Sequence, residues 1–143
     1  SIFEKKLIGA AKKLKIKSII LQCKPSLSLV NKQGNTSTIS HLNTEALNKL
    51  ILESRYVISR SGYTTVMDLA KLKKKSCLIA TNGQNEQEYL SSYLGRHGFC
   101  LTSKLEKIDL EKIIGKLDEI HGFANYQQDV VNWKDIFKII AYA

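Results

Sequence analysis

The sequence predicts an α/β fold, in which a parallel sheet is covered by helices on both faces. Short apolar runs rich in β-branched residues alternate along the chain with segments whose apolar residues recur at helical spacing. Four of these runs are nearly continuous, as expected of strands that are buried on both sides. Such alternation, without an internal repeat, indicates a layered domain of strands and helices.

The predicted elements follow one another in regular order. The four strands are residues 17–23, 55–59, 76–81 and 99–102. The helices are residues 2–15, 64–73, 86–97, 109–120 and 131–142, with a further helix that contains Leu47, Leu50 and Ile51. Asn43 or Thr44 would cap that further helix. Gly98 suits the position just after a helix end, where positive φ is common.

Two features concern the rest of the pattern. Residues 26–40 alternate around Gly34 and fit either a hairpin excursion or a disordered loop. A complete fold of this kind usually opens on a strand, whereas this chain opens on a helix and its first residue is Ser1. We therefore expect a first strand upstream, with residues 1–143 as a single domain and C-terminal fragment of a longer protein.

Composition is that of one globular domain. The chain has 143 residues, of which 43% are hydrophobic. No apolar stretch approaches the roughly 20 residues that cross a bilayer. The basic N-terminus has periodic rather than contiguous apolar residues, unlike a signal peptide. We expect a cytoplasmic protein.

The chain is strongly basic, with a net charge of +9 from 22 Lys and Arg against 13 Asp and Glu. This excess favours a phosphate-rich partner, which could be nucleic acid, an anionic membrane face or a charged nucleotide. No aromatic residues interleave the lysines, which weakens the case for single-stranded nucleic acid. The lysines cluster at Lys5, Lys6, Lys12, Lys13, Lys15 and Lys17, and again at Lys71, Lys73, Lys74 and Lys75.

Cysteines and histidines give no sign of a metal site. The cysteines lie far apart without metal-ligand spacing, and we expect small buried thiols in a reducing compartment. The histidines are expected at the surface or at helix ends rather than in catalysis. These residues are Cys23, Cys77, Cys100, His41, His97 and His121.

A polar turn follows the strand at 55–59. Gly62 would let the backbone turn tightly, and the first amides of the next helix are unpaired. Hydroxyls are offered by Ser61, Thr64 and Thr65. Because ligands of layered α/β sheets bind beyond the carboxyl ends of the strands, this turn suits a phosphate. A hydroxyl that merely caps the helix fits the local sequence equally well.

Asp68 lies one turn further into the helix, on the same face as Thr64 and Thr65. It is suited to accept hydrogen bonds from ribose hydroxyls. The alternative is a carboxylate that only complements the positive end of the helix dipole.

Amides and carboxylates follow the next strand, at Gln84, Asn85, Gln87 and Glu88. Such groups suit a hydroxyl-rich ligand, since each sugar hydroxyl both donates and accepts. A polar loop with a helix cap is the alternative. Phosphate and ribose groups at one strand end, with sugar hydroxyls at the next, together describe a nucleotide sugar.

The stretch SRSGYTTVMDLAKLKKKSCLIATNGQNEQEYLSSYLGRHGF, residues 59–99, resembles the C-terminal domain of MurG-like GT-B glycosyltransferases, glycosyltransferase family 28. The resemblance implies a Rossmann-like sheet that forms one half of a GT-B fold. It also implies that this domain binds a UDP-sugar as substrate, without a further cofactor.

The resemblance assigns roles residue by residue. Ser61 and Gly62 match the turn beside the diphosphate, and Thr64 and Thr65 match the helix start that supports it. Asp68 matches a family Glu that holds the ribose. Gln87 and Glu88 match a Gln-Gln pair that contacts the sugar, with Glu in place of the second Gln. Leu42 falls near the base-binding segment.

The family's general base lies on an N-terminal domain, so the resemblance implies no catalytic residue in this chain and no turnover by it alone. The implied reaction is inverting transfer of a hexose or N-acetylhexosamine to a hydroxyl acceptor. The implied partners are an N-terminal acceptor domain or subunit and the anionic inner surface of a membrane.

Two alternatives remain open at this point. The chain could be a stand-alone donor subunit that pairs with a separate acceptor subunit. It could also be a basic α/β module that binds nucleic acid, which would explain the net charge but not the two polar clusters.

Overall fold

The computed structural model describes residues 1–26 and 29–124, and every helix and strand predicted in that range is present. The predicted helix at 131–142 lies outside the described residues. The elements are α1 (Ile2–Ala11), β1 (Ser18–Leu21), β2 (Val30–Gln33), β3 (Thr36–Ile39), α2 (Thr44–Glu53), β4 (Tyr56–Arg60), α3 (Tyr63–Lys71), β5 (Lys75–Ile79), α4 (Asn85–Arg96), β6 (Leu101–Thr102), a 3-10 helix (Leu105–Lys107) and α5 (Leu110–Leu117).

The strands β4, β5 and β6 form a parallel sheet in that order. In its register, Ile58 lies opposite Cys77, and Cys77 lies opposite Leu101. Parallel strands end at the same edge of a sheet, so the turns that follow β4 and β5 emerge side by side. These turns are the two polar clusters found in the sequence.

Helices cover both faces of this sheet, which confirms the predicted fold class. Neighbouring residues of a strand point to opposite faces. Leu78 of β5 therefore packs with α3 and α4 on one face, whereas Cys77 packs with α1 and α5 on the other. Each large apolar side chain buried in this way stabilises the fold by roughly 1.5–3 kcal/mol.

A second sheet contains the predicted hairpin. β2 and β3 pair antiparallel, and the turn between them includes Gly34 at φ 59°. β1 pairs in parallel with β3, in the order β1-β3-β2. Among the described residues β1 thus hydrogen-bonds to the hairpin rather than to β4, a choice of neighbour that hydrophobic periodicity does not encode.

The ends of the helices follow local chemistry. The side chain of Asn43, not of Thr44, caps α2 by accepting a hydrogen bond from the amide of Ala46 at 2.8 Å. Gly98 follows α4 with φ 73°, as predicted. A Cβ at Gly98 would lie 2.5 Å from Nε2 of His121, so space as well as conformation requires glycine there. No helix in the described range is long and apolar enough to cross a membrane.

Candidate functional site

The start of α3 is an open helix N-terminus at the end of β4. Its N-cap is Gly62, no side chain caps it, and its first turn carries no acidic residue. The main-chain amides of Thr64 and Thr65 in that turn are therefore available to an acceptor, and the helix dipole favours a negative charge there. This is the electrostatic arrangement that binds phosphate groups.

Gly62 contributes space rather than a special conformation. Its φ of −68° and ψ of 144° are accessible to any residue, so the turn predicted at Gly62 does not use the conformational freedom of glycine. A Cβ at Gly62 would meet no other atom within 4 Å among the described residues. The missing side chain therefore leaves the approach to the α3 amides open.

Ser61 joins the two polar clusters. Its side chain is fully buried, and its hydroxyl donates a hydrogen bond to the main-chain oxygen of Gln87 at 2.8 Å. The end of β4 is thereby tied to the first turn of α4. Because this hydroxyl is committed and shielded, Ser61 can serve a ligand at the α3 start only through its main chain and through the position it gives the turn.

Gln87 and Glu88 hold the loop between β5 and α4. The side-chain oxygen of Gln87 accepts from the amide of Thr81 at 3.0 Å, and its amide donates to the side chain of Gln84 at 2.6 Å. A carboxylate oxygen of Glu88 accepts from the amide of Gly83 at 3.1 Å. These contacts belong to the loop-holding alternative raised by the sequence.

The start of α4 differs from that of α3 in charge. Gln84 is its N-cap, but the Gln84 side chain does not cap the helix amides, and the first turn of α4 carries Glu86 and Glu88. These carboxylates already complement the helix dipole and would repel a phosphate. Of the two helix starts, α3 is therefore suited to an anion and α4 to a neutral, hydroxyl-bearing group.

Arg60, which the sequence motifs do not single out, contacts the second polar cluster. It is the last residue of β4, and its guanidinium donates a hydrogen bond to the hydroxyl of Thr81. The guanidinium carbon also lies 4.5 Å from the centre of the Phe3 ring in the first turn of α1. The sequence signal for Arg60 was its position, since it is a cation at the end of a strand and directly precedes a turn predicted to bind phosphate.

The remaining predicted residues lie around this network. Asp68 is exposed on α3, and no hydrogen bond in residues 1–26 and 29–124 ties its side chain to Ser61 or Gln87. Thr64 and Asn85 are exposed, and Thr65 is half-buried. Leu42 is half-buried and directly precedes Asn43, the N-cap of α2. It belongs to neither of the two turns that form the network.

A groove of about 890 Å³ opens beside the second cluster, between α4 and the segment that follows β6. Glu88 is at its edge, which places a predicted sugar-binding residue against the groove. The amide of Asn82 donates to Glu106 at 3.1 Å across it. Its other lining side chains include Ser91, Arg96, Thr102 and Lys104.

Two of the cysteines and two of the histidines are held in contacts of the fold. Cys77 and Cys100 are buried, and burial raises the pKa of each thiol to about 12. His97 is the C-cap of α4, and its ring bonds to the carbonyl of Tyr93 at 2.8 Å. His121 lies 3.0 Å from the carbonyl of His97. In the part of the chain that the structure describes, no three His, Cys, Asp or Glu side chains group as metal ligands do.

A Rossmann-like α/β sheet with an uncapped helix start at its carboxyl edge is the architecture of many nucleotide-binding domains. Comparison with protein families matches residues 3–132 to the glycosyltransferase family 28 C-terminal domain, and the chain belongs to this family. The protein is thus a donor-binding domain of a glycosyltransferase. Neither the curated proteins nor the solved structures gave a significant match.

Proposed function

We propose that this domain binds the UDP-sugar donor of a MurG-like, inverting glycosyltransferase that transfers a hexose or N-acetylhexosamine to a hydroxyl acceptor. The observation that carries the proposal is the hydrogen bond from Ser61 to Gln87. It sets the open start of α3 beside the start of α4, so that one ligand with a charged and a neutral part can contact both.

The diphosphate would lie against the start of α3. The amides of its first turn and the hydroxyls of Thr64 and Thr65 would receive the phosphate oxygens, while Gly62 leaves their approach open. Ser61 would position the turn. Such fixed donors stabilise a departing diphosphate because they need no reorganisation as its charge develops.

The nucleoside would extend along α3. Asp68 lies one turn beyond Thr64 and Thr65 on an exposed face, where its carboxylate can accept from both ribose hydroxyls. Leu42 would contact the base with its half-buried apolar side chain.

The sugar would lie against the start of α4. Gln84, Asn85, Gln87 and Glu88 offer amide and carboxylate groups there, and the first turn is acidic. Glu88 uses one carboxylate oxygen on Gly83, which leaves the other for a sugar hydroxyl. Gln87 would act mainly by holding the loop, so its replacement should disturb sugar binding through the position of Thr81.

The acceptor and the general base would come from a partner, as an N-terminal domain of the same enzyme or a separate subunit. This domain alone would then bind the donor without turnover. The proposal requires no cofactor or metal in this chain.

The test is calorimetric titration with UDP-N-acetylglucosamine, UDP-glucose and UDP-galactose. We expect one of these donors to bind most tightly. Asp68→Ala should lower its affinity about tenfold through loss of a hydrogen bond to a charged group, and Gln87→Ala should lower it about tenfold because the loop before α4 is no longer held in position. Glu53→Ala, a change of an exposed acid at the end of α2, is the control. If both variants bind that donor with wild-type affinity, the proposed site is wrong.

The lysines of α1 and of the turn after it support a second part of the proposal, that the domain lies at the anionic inner face of a membrane. Lys5, Lys6, Lys12 and Lys13 are all exposed. Each basic residue near such a surface contributes roughly 1 kcal/mol of attraction. Co-sedimentation with vesicles should rise with anionic lipid content, and sedimentation independent of lipid charge would contradict it. Tight, salt-dependent binding to duplex nucleic acid would instead favour the nucleic-acid alternative.

A further inference from the structure

We propose that Arg60 is a phosphate-binding residue of this site, held in place by the ring of Phe3 and the hydroxyl of Thr81, and that it determines the preference for a diphosphate over an uncharged nucleoside. The inference rests on the proposed function and adds a binding residue to it. It is drawn from two contacts of the Arg60 side chain, from its position at the end of β4 and from its charge.

The charge of Arg60 is available to a ligand. The ion pairs among residues 1–26 and 29–124 join Ser1 to Glu4, Lys24 to Glu4 and Arg55 to Asp118, and none includes Arg60. Arg60 is nevertheless half-buried. Removing a cation from water without an anionic partner costs free energy that an aromatic face offsets only in part. A bound anion would supply the missing partner.

The position of the guanidinium suits that anion. Arg60 lies opposite Ile79 in the sheet register, at the carboxyl edge of β4, and the next residue begins the turn to α3. Phe3 lies in the first turn of α1. The ring therefore holds the guanidinium at the carboxyl edge of the sheet, on the side of α1 and one residue before the turn to α3. A planar guanidinium binds phosphate oxygens in pairs, which an ammonium does not.

Thr81 links this cation to the sugar side of the site. Its hydroxyl accepts from Arg60, and its amide donates to Gln87. When the guanidinium turns toward a phosphate, it exchanges the neutral Thr81 hydroxyl for a charged acceptor, which is the stronger hydrogen bond. Thr81 then keeps its bond to Gln87, so the loop before α4 stays in position.

The test compares Arg60→Met, Arg60→Lys and Arg55→Met by calorimetric titration with UDP, uridine and pyrophosphate at fixed, low salt. Arg55 is a matched control, because it flanks the opposite end of β4 and its guanidinium also lies over a ring, that of Tyr56 at 5.2 Å. Thermal unfolding with no ligand establishes that each variant is folded. Phe3→Leu keeps the guanidinium but removes its support.

We expect Arg60→Met to lower the affinity for UDP and for pyrophosphate about 10- to 100-fold, which is the range for loss of a hydrogen bond to a charged group. The affinity for uridine should not change. Arg60→Lys should recover part of this loss, Phe3→Leu should lose several-fold, and Arg55→Met should match the wild type. If Arg60→Met does not fold, Arg60→Lys and Phe3→Leu test the same role of Arg60, because each should weaken the binding of UDP and pyrophosphate but not of uridine.

The outcomes separate the two proposals. Unchanged UDP affinity in Arg60→Met would overturn the role of Arg60 and leave the donor site standing. Pyrophosphate binding that depends on Arg60, without any binding of uridine and with UDP no tighter than pyrophosphate, would support the anion site and contradict the UDP-sugar function. A wild-type protein that binds none of the probes would overturn both.

Discussion

The buried hydroxyl of Ser61 lies 2.8 Å from the main-chain oxygen of Gln87, to which it donates a hydrogen bond. These residues are 26 positions apart in the chain and belong to different polar clusters. The contact makes the turn after β4 and the start of α4 one structural unit. The two clusters therefore lie side by side.

Replacing Ser61 by Ala should lower the free energy of unfolding by about 1–2 kcal/mol, because it removes a buried hydrogen bond and leaves a carbonyl oxygen without it. Urea denaturation measures the change. Ser92→Ala, at an exposed position of α4, is the control and should stay within about 0.5 kcal/mol of wild type. Equal stability of the two variants would show that the Ser61 contact contributes nothing.

Replacing Ser76 by Ala should stabilise the protein by about 1 kcal/mol. The Ser76 hydroxyl is fully buried and has no hydrogen-bond partner among the described residues. A buried polar group without a partner costs free energy that alanine does not. The control is Ser91→Ala, since the Ser91 hydroxyl donates to the carbonyl of Glu88 at 3.2 Å. A loss of stability in Ser76→Ala as large as in the control would contradict this account.

Acid should remove a contribution of Asp118 to stability. A hydrogen bond from the Tyr56 hydroxyl, aided by the Arg55 guanidinium at 3.1 Å, holds the pKa of the Asp118 carboxyl below its ordinary value of 3.8. A carboxyl whose pKa is depressed by folding stabilises the folded state above the unfolded-state pKa. That contribution disappears as pH falls from 3.8 through the folded-state pKa.

The measurement for Asp118 is urea denaturation of wild type and Asp118→Asn at a series of pH values. The wild type should be the more stable at pH 6, and the difference should narrow only below pH 3.8. Glu119→Gln, a change of the neighbouring exposed carboxylate, should show no such narrowing. A difference that is constant across the series would exclude the Tyr56–Asp118 contact.

Thiol chemistry should distinguish Cys23 from the other cysteines. Cys23 is exposed, whereas Cys77 and Cys100 are buried with the pKa of each raised to about 12. Because the thiolate is the reactive form, iodoacetamide at pH 8 should modify Cys23 alone in the folded protein and all three cysteines in urea. Mass spectrometry counts the modified thiols. Cys23→Ser should leave no fast-reacting thiol, and rapid modification of Cys77 in that variant would contradict its burial.

Much of the fold could be predicted from the sequence because periodicity and turn chemistry are local. The parallel β4-β5-β6 sheet, the helices on both of its faces and the glycine after α4 follow from patterns a few residues long. The hairpin of β2 and β3 was one of two alternatives that the alternation around Gly34 allowed. The neighbour of β1 was not predictable, since any strand edge can pair with another.

The two polar clusters were also visible in the sequence, but the use of their side chains was not. The same local pattern describes a serine that binds a phosphate and one that is buried against a helix. Only packing distinguishes them, and it commits Ser61 to Gln87. The position of the Arg60 side chain could not be predicted for the same reason, because its contact with Phe3 joins α1 to β4, which are distant in the sequence.

The kind of domain, the order of its elements and the strand ends at which polar groups collect could all be predicted from the sequence, because each depends on residue spacings within a single element. The tertiary structure alone decided which of those groups are buried, which hold a loop and which charge is left without a partner. Those properties depend on atoms brought together from distant parts of the chain, and burial and hydrogen bonding arise only there.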